Sequence, residues 1–143
     1  MERLADTRLV QRLVRTGQQP VMQIDLEGEV MDQWLPGASL EAVFRASNGA
    51  YLVFSVDDCP YEEGLNIVLL SSEKIVLDVK SIVHAYATGH LHDLRIEGPR
   101  TVSFSFYDSE RWRATVSPGP LRRRPKWIPR RLRRGLQVKR LAS

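Results

Sequence analysis

The dipeptide Asn48-Gly49 lies between two apolar runs, residues 40–46 and 50–56, and constrains the fold more than any other feature of the sequence. Asn-Gly is the strongest short-range signal for a β-hairpin, because both residues readily adopt positive φ. The second run, Ala-Tyr-Leu-Val-Phe-Ser-Val, is rich in the aromatic and β-branched residues that favour strands. The sequence therefore predicts a hairpin at this point.

Further strand patterns follow along the chain, separated by turn-forming residues. They cover residues 21–26, 65–70, 74–79, 91–97, 101–106 and 111–116. In the last two, apolar and polar side chains alternate, as in strands with one buried face and one exposed face. Short strands at this spacing predict a mainly β fold, an antiparallel meander that forms a curled sheet, a sandwich or a partial barrel.

The first residues of the chain show a different period. The apolar residues there are Leu4, Leu9, Val10, Leu13 and Val14. Their spacing predicts one amphipathic helix that ends near Gly17. An α+β arrangement is the alternative to a mainly β fold.

The length of 143 residues suits one domain. No apolar run approaches the roughly 18 residues that a membrane-spanning helix needs. The first residues, Met-Glu-Arg-Leu-Ala-Asp, do not resemble a secretion signal, and the only cysteine, Cys59, excludes an internal disulfide. We therefore expect a cytoplasmic protein without a membrane span.

Charge divides the chain. Residues 1–120 contain 11 basic and 17 acidic residues, whereas residues 121–143 contain 10 basic residues and no acid. Such asymmetry favours an anionic partner, or a basic tail that lies on an acidic body. We predict a β-rich domain over residues 1–120 and a basic tail over 121–143 that packs at least partly on it.

The basic tail suits a nucleic-acid-binding role, a structural role, or contact with a protein or membrane surface, and these roles can coexist. Cations attract phosphates, and Trp127 suits stacking on a base. The candidate nucleic-acid-binding residues are Arg122, Arg123, Arg124, Lys126, Trp127, Arg130, Arg131, Arg133 and Arg134. In the structural alternative, apolar tail residues cover the sheet, and Leu136 and Val138 alternate with polar residues as in a short last strand.

An acidic segment lies between two predicted strands. Its candidate partner-binding residues are Asp57, Asp58, Tyr61, Glu62 and Glu63. The carboxylates would steer a basic partner, and the tyrosine would anchor it. The alternatives are a cation-binding loop and an ordinary solvated turn.

Evidence for catalysis is weak. His84, His90 and His92, with Asp57 or Asp58, would suit a small metal-dependent hydrolase only if they meet in space. Acidic neighbours disfavour a reactive thiolate at Cys59, and no nucleophile elbow or phosphate-binding glycine loop occurs. We expect a protein that is not an enzyme and that has neither cofactor nor metal.

One resemblance bears on this expectation. Residues 51–67, with Leu91-His92-Asp93-Leu94-Arg95, Phe104-Ser105-Phe106 and Arg111-Trp112-Arg113, are similar to a group of small uncharacterised bacterial β-rich proteins. The chain also resembles in type the immunity proteins that neutralise bacterial toxins by direct contact. The leading prediction is therefore a protein-binding protein of the immunity type; the alternative is a nucleic-acid-binding accessory protein that acts through the basic tail.

Overall fold

A computed structural model describes residues 1–58, 63–83, 89–107, 110–119 and 135–141. This part of the chain is mainly β, as predicted, and contains no helix. Its strands are β1 (Glu2–Arg3), β2 (Thr7–Leu13), β3 (Val21–Leu26), β4 (Glu29–Val30), β5 (Leu35–Pro36), β6 (Ser39–Arg45), β7 (Tyr51–Val56), β8 (Gly64–Leu70), β9 (Val76–Val83), β10 (His92–Gly98), β11 (Thr101–Ser105), β12 (Arg111–Val116) and β13 (Leu136–Arg140).

The strands form three antiparallel sheets, none of them closed into a barrel. The central sheet has the order β1-β6-β7-β8-β9. The N-terminal sheet has the order β2-β3-β4, with β5 also paired to β3, and the C-terminal sheet has the order β10-β11-β12-β13. The predicted meander is thus divided among three sheets.

The central sheet is covered on both faces, so the described part of the chain forms three layers. One apolar cluster joins it to the C-terminal sheet and includes Phe44, Phe54 and Phe104, whose rings meet edge to face at centroid distances of 5.7 and 5.3 Å. A second cluster joins its other face to the N-terminal sheet through Met22 and Val53. This position explains why every residue of β7 and β8 is buried.

A polar network also joins the central and N-terminal sheets. Glu27, in the β3–β4 turn, forms an ion pair with Arg45 of β6 and accepts a hydrogen bond of 2.7 Å from the Tyr51 hydroxyl. These hydrogen bonds lower the pKa of Glu27. Burial, followed by the hydrogen bond to Glu27, raises the pKa of Tyr51. The network fixes one hairpin turn of the N-terminal sheet on the edge of the central core.

The predicted hairpin at Asn48-Gly49 is confirmed. The amide of Gly49 donates to the carbonyl of Ala46 at 3.0 Å, and Ala46 donates to Ala50 at 2.8 Å. Gly49 has φ of 85°, the left-handed conformation that closes a three-residue hairpin loop. The second predicted hairpin, between β8 and β9, is also present, although Lys74 belongs to its turn and β9 begins at Val76.

The predicted N-terminal helix is wrong: most of the segment is β2, paired with β3. Leu9 pairs with Ile24 and Gln11 pairs with Gln23, so a bulge in β2 adds one extra residue between two consecutive residues of β3. The bulge interrupts the two-residue alternation, and apolar residues on both sides of it imitate helical spacing. Leu9 packs against the core, whereas Val10 and Leu13 are 44% and 42% exposed, which a buried helical face would not allow.

The predicted short last strand is confirmed as β13. It pairs with β12 from Trp112↔Arg140 to Val116↔Leu136, and Leu136 is buried in the core. Residues 136–140 are therefore the edge strand of the C-terminal sheet. The eight cations at residues 122–134 belong to the connection between β12 and β13 rather than to a free tail.

Candidate functional site

The outward face of the C-terminal sheet carries a row of cations. Phe104 and Val102 face the core, so Ser103 between them faces outward, and the register places Arg95 beside it on one side and Arg113 on the other. Lys139 is opposite Arg113 on the next strand. The order across the four strands is thus Arg95, Ser103, Arg113, Lys139, defined here as the basic row.

Arg113 and Lys139 are the distinctive pair of the basic row. Both side chains are exposed, and within the described part of the chain neither has an ion pair or a side-chain hydrogen bond. Side chains directly opposite on antiparallel strands have Cβ atoms roughly 5 Å apart, and like charges there destabilise the sheet. Binding of an anion that contacts both cations would remove this repulsion.

Beside the row, an ionic cluster holds the bulged end of β10. Asp93, with φ of 53°, pairs with Arg95 and with Arg111, each at 2.9 Å. The hydrogen bond from Arg95 lowers the pKa of Asp93. Arg111 also donates to Ser105 at 3.0 Å and to Ser103 at 2.6 Å. Arg111 thus helps to hold the bulged end of β10, and Arg95 is an exposed cation whose charge is partly neutralised by Asp93.

The C-terminal sheet is the only one of the three whose described strands have a net charge. They contain five basic residues, Arg95, Arg111, Arg113, Lys139 and Arg140, and two acidic ones, Asp93 and Glu97. Basic and acidic residues balance at three each in the central sheet and at two each in the N-terminal sheet. Positive charge therefore concentrates on this layer.

The ends of the connection between β12 and β13 are held together. The amide of Ser117 donates to the carbonyl of Gly135 at 3.0 Å. The side chain of Asn48 donates to the carbonyls of Ser117 and Gly119, both at 3.0 Å. The hairpin turn of the central sheet thus fixes the point from which the basic connection leaves. The predicted nucleic-acid-binding residues, 122–134, lie outside the described residues.

The acidic segment is partly committed to internal contacts. Asp57 accepts a hydrogen bond of 2.7 Å from the buried amide of Asn66. Glu63 accepts one from the Gly89 amide at 3.2 Å, and its carbonyl accepts another from the Tyr107 hydroxyl. Asp58 is exposed. Tyr61 and Glu62, with Cys59, lie outside the described residues.

The histidines yield no metal centre within the described ranges. The rings of His90 and His92 lie 4.8 Å apart, and Nδ1 of His92 is 3.0 Å from the carbonyl oxygen of His90. No group of three metal-binding side chains occurs among the described residues. His84 lies outside them, so whether the three histidines meet in space is not tested.

Sequence reasoning missed the basic row because its members come from four separate strands. Alternation placed Arg113 on the exposed face of its strand, and it placed Lys139 on the other face of its strand from Val138. Only the register between β12 and β13 shows that Arg113 and Lys139 are neighbours. Alternation assigns a residue to a face, whereas neighbours on that face depend on strand pairing.

Comparison with protein-family models, curated proteins and solved structures finds no match to this chain. Where the chain is described, no helix has the length and apolar character needed to cross a membrane.

Proposed function

We propose that the protein binds nucleic acid through the basic row, aided by the cations at residues 122–134. The observation that carries this proposal is the pairing of Arg113 with Lys139, neither of which has an ion pair with a described acidic residue. The basic connection starts and ends in the strands that carry these two cations, β12 and β13. One polyanion can therefore contact both sets of charges.

Phosphate suits the chemistry of this face. Guanidinium and ammonium groups donate charge-assisted hydrogen bonds to phosphate oxygens, and serine and threonine hydroxyls also contact the backbone. Thr101 and Thr115 are paired on the same outward face, next to the basic row. Because a nucleic acid repeats its phosphates at short intervals, it engages several cations at once and releases their counterions.

The test is a fluorescence-anisotropy titration of labelled generic DNA and RNA across a salt series. Each phosphate contact adds about −0.9 to the slope of log affinity against log salt for duplex DNA. The double variant Arg113→Gln/Lys139→Gln should therefore reduce the steepness of the slope by about 2. Its matched control, Arg8→Gln/Arg15→Gln, removes the same charge from the β2 end of the molecule and should leave the slope within about 0.5 of the original.

Two results would overturn the proposal. One is no binding, or binding with a flat salt dependence. The other is an equal effect of the two double variants, which would show that net charge matters and position does not. Circular dichroism of each variant checks that the fold is retained.

The immunity-type function, with Asp57, Asp58, Tyr61, Glu62 and Glu63 facing a protein partner, stays a prediction. It has less support, because Asp57 and Glu63 already accept hydrogen bonds within the chain. Lack of nucleic-acid binding would make this prediction the next to test.

A further inference from the structure

We infer that the nucleic acid is double-stranded and that the protein holds its backbone without reading base sequence. This inference rests on the proposed function and narrows its ligand. Three features of the C-terminal sheet support it: where the aromatic side chains point, how wide the basic row is, and which groups line it.

The aromatic residues of the C-terminal sheet face away from the basic row. Phe104 and Phe106 are buried in the core, and Trp112 pairs with Phe104 on the same inward face and packs against that core. The outward face of the described strands carries no Phe, Tyr or Trp. Proteins that hold single strands combine a basic groove with exposed aromatic rings on which bases stack. This face has the cations without the stacking platform.

The width of the row excludes entry into a groove. Adjacent strands lie roughly 4.8 Å apart, so a row across four strands spans about 14 Å between the outer backbones. The major groove of B-form DNA is roughly 12 Å wide and admits one helix or a two-stranded ribbon. A four-stranded face therefore lies across the phosphates and cannot reach base edges.

The groups that line the row match a backbone ligand. Between the flanking cations lies the small Ser103, which is buried and already donates to Glu97 at 2.6 Å. Arg111 fills the space above Ser103 and Ser105. A duplex offers about one phosphate charge per 1.7 Å of its axis, twice the density of one of its strands.

The decisive experiment compares a labelled DNA duplex with each of its two separate strands, using the full chain at one salt concentration near 0.1 M. If about six phosphates are contacted, the different counterion release of duplex and single strands predicts roughly tenfold tighter binding of the duplex. A second duplex of unrelated sequence and equal length should bind within about twofold, since phosphate contacts carry no sequence information.

Equal or tighter binding of the single strands overturns this inference and leaves the proposed function standing. Preference for one duplex over the other by tenfold or more also overturns it. If neither duplex nor single strands bind, the proposed function itself fails.

Discussion

Asn66 and Asp57 are joined by a hydrogen bond of 2.7 Å between the amide nitrogen of the first and a carboxylate oxygen of the second. Asn66 is fully buried in β8, and its own carbonyl oxygen accepts from Ser81 at 2.8 Å and from Gln19 at 3.2 Å. The side chain of Asn66 thus connects β8 with β9, with the loop that contains Gln19, and with the start of the acidic segment. Every polar atom of its side chain has a role in holding the core.

Replacement of Asn66 should therefore destabilise the protein strongly. In Asn66→Ala, the partners of a buried amide lose their hydrogen bonds, and the free energy of unfolding should fall by about 3 kcal/mol. Urea denaturation followed by circular dichroism measures the change. Ser81→Ala removes one of these bonds and should cost only about 1 kcal/mol. Equal losses in the two variants would contradict the central role of Asn66.

Glu27 should make stability depend on acid pH. Its hydrogen bonds to Arg45 and Tyr51 keep its folded-state pKa below the ordinary value of 4.5. A carboxyl group with a lowered pKa stabilises the fold above its unfolded pKa, and this contribution is lost as pH falls through the folded pKa.

The variant Glu27→Gln should lose about 1 kcal/mol at pH 7. As pH falls below the ordinary value of 4.5 and through the lowered folded-state pKa, its stability should approach that of the original chain, because the original carboxylate becomes protonated. Thermal unfolding at several pH values gives the comparison. A constant difference between the two proteins from pH 7 to pH 3 would show that charge on Glu27 does not contribute.

Gly37 should tolerate no side chain. A Cβ atom there would lie 2.4 Å from Oγ of Ser55, a buried residue of the central sheet, and φ at Gly37 is 122°. Gly37→Ala should cost more than about 2 kcal/mol, through both the clash and the backbone strain. At Gly28, φ is 86° but no atom lies within 4 Å of a Cβ. Gly28→Ala is therefore the control for backbone strain alone, at about 1 kcal/mol.

Phe54 should be the most costly residue to truncate in the core between the central and C-terminal sheets. Its ring meets those of Phe44 and Phe104, and it is fully buried. Phe54→Ala should lower the free energy of unfolding by about 3–5 kcal/mol, the usual range for a buried phenylalanine. Ile96→Ala, at a residue that is 48% exposed, should change it by less than about 1 kcal/mol. Chemical denaturation compares the two variants.

Much of the fold follows from local sequence, because hairpins and alternation are local signals. Asn48-Gly49 closes the predicted turn, and the unbroken apolar runs of β7 and β8 are those of strands buried on both faces. The N-terminal segment was mispredicted because a single bulge in β2 changes the period. The partition into three sheets also escaped prediction, since it depends on contacts between residues far apart in the chain.

The site was less predictable than the fold. The sequence identified an excess of cations after residue 120, but the described cations that share one row come from residues 95, 113 and 139, and only the last of these belongs to that excess. Conversely, the acidic segment looked like an open surface, although Asp57 and Glu63 serve the core and a neighbouring loop. Charge density along the chain does not reveal which charges already have partners.

The pairing of β12 with β13 has a consequence for how this chain can vary and be engineered. Because Ser117 and Gly135 meet across a hydrogen bond of 3.0 Å, the stretch between them is an insertion into a hairpin. Its length and composition can therefore change while both strands keep their register. Cutting the chain at residue 120 would instead remove an edge strand and expose the cavity left by Leu136. The basic connection can therefore be replaced with a short neutral turn while β13 is kept. Such a variant shows the effect of the removed charge without the loss of an edge strand.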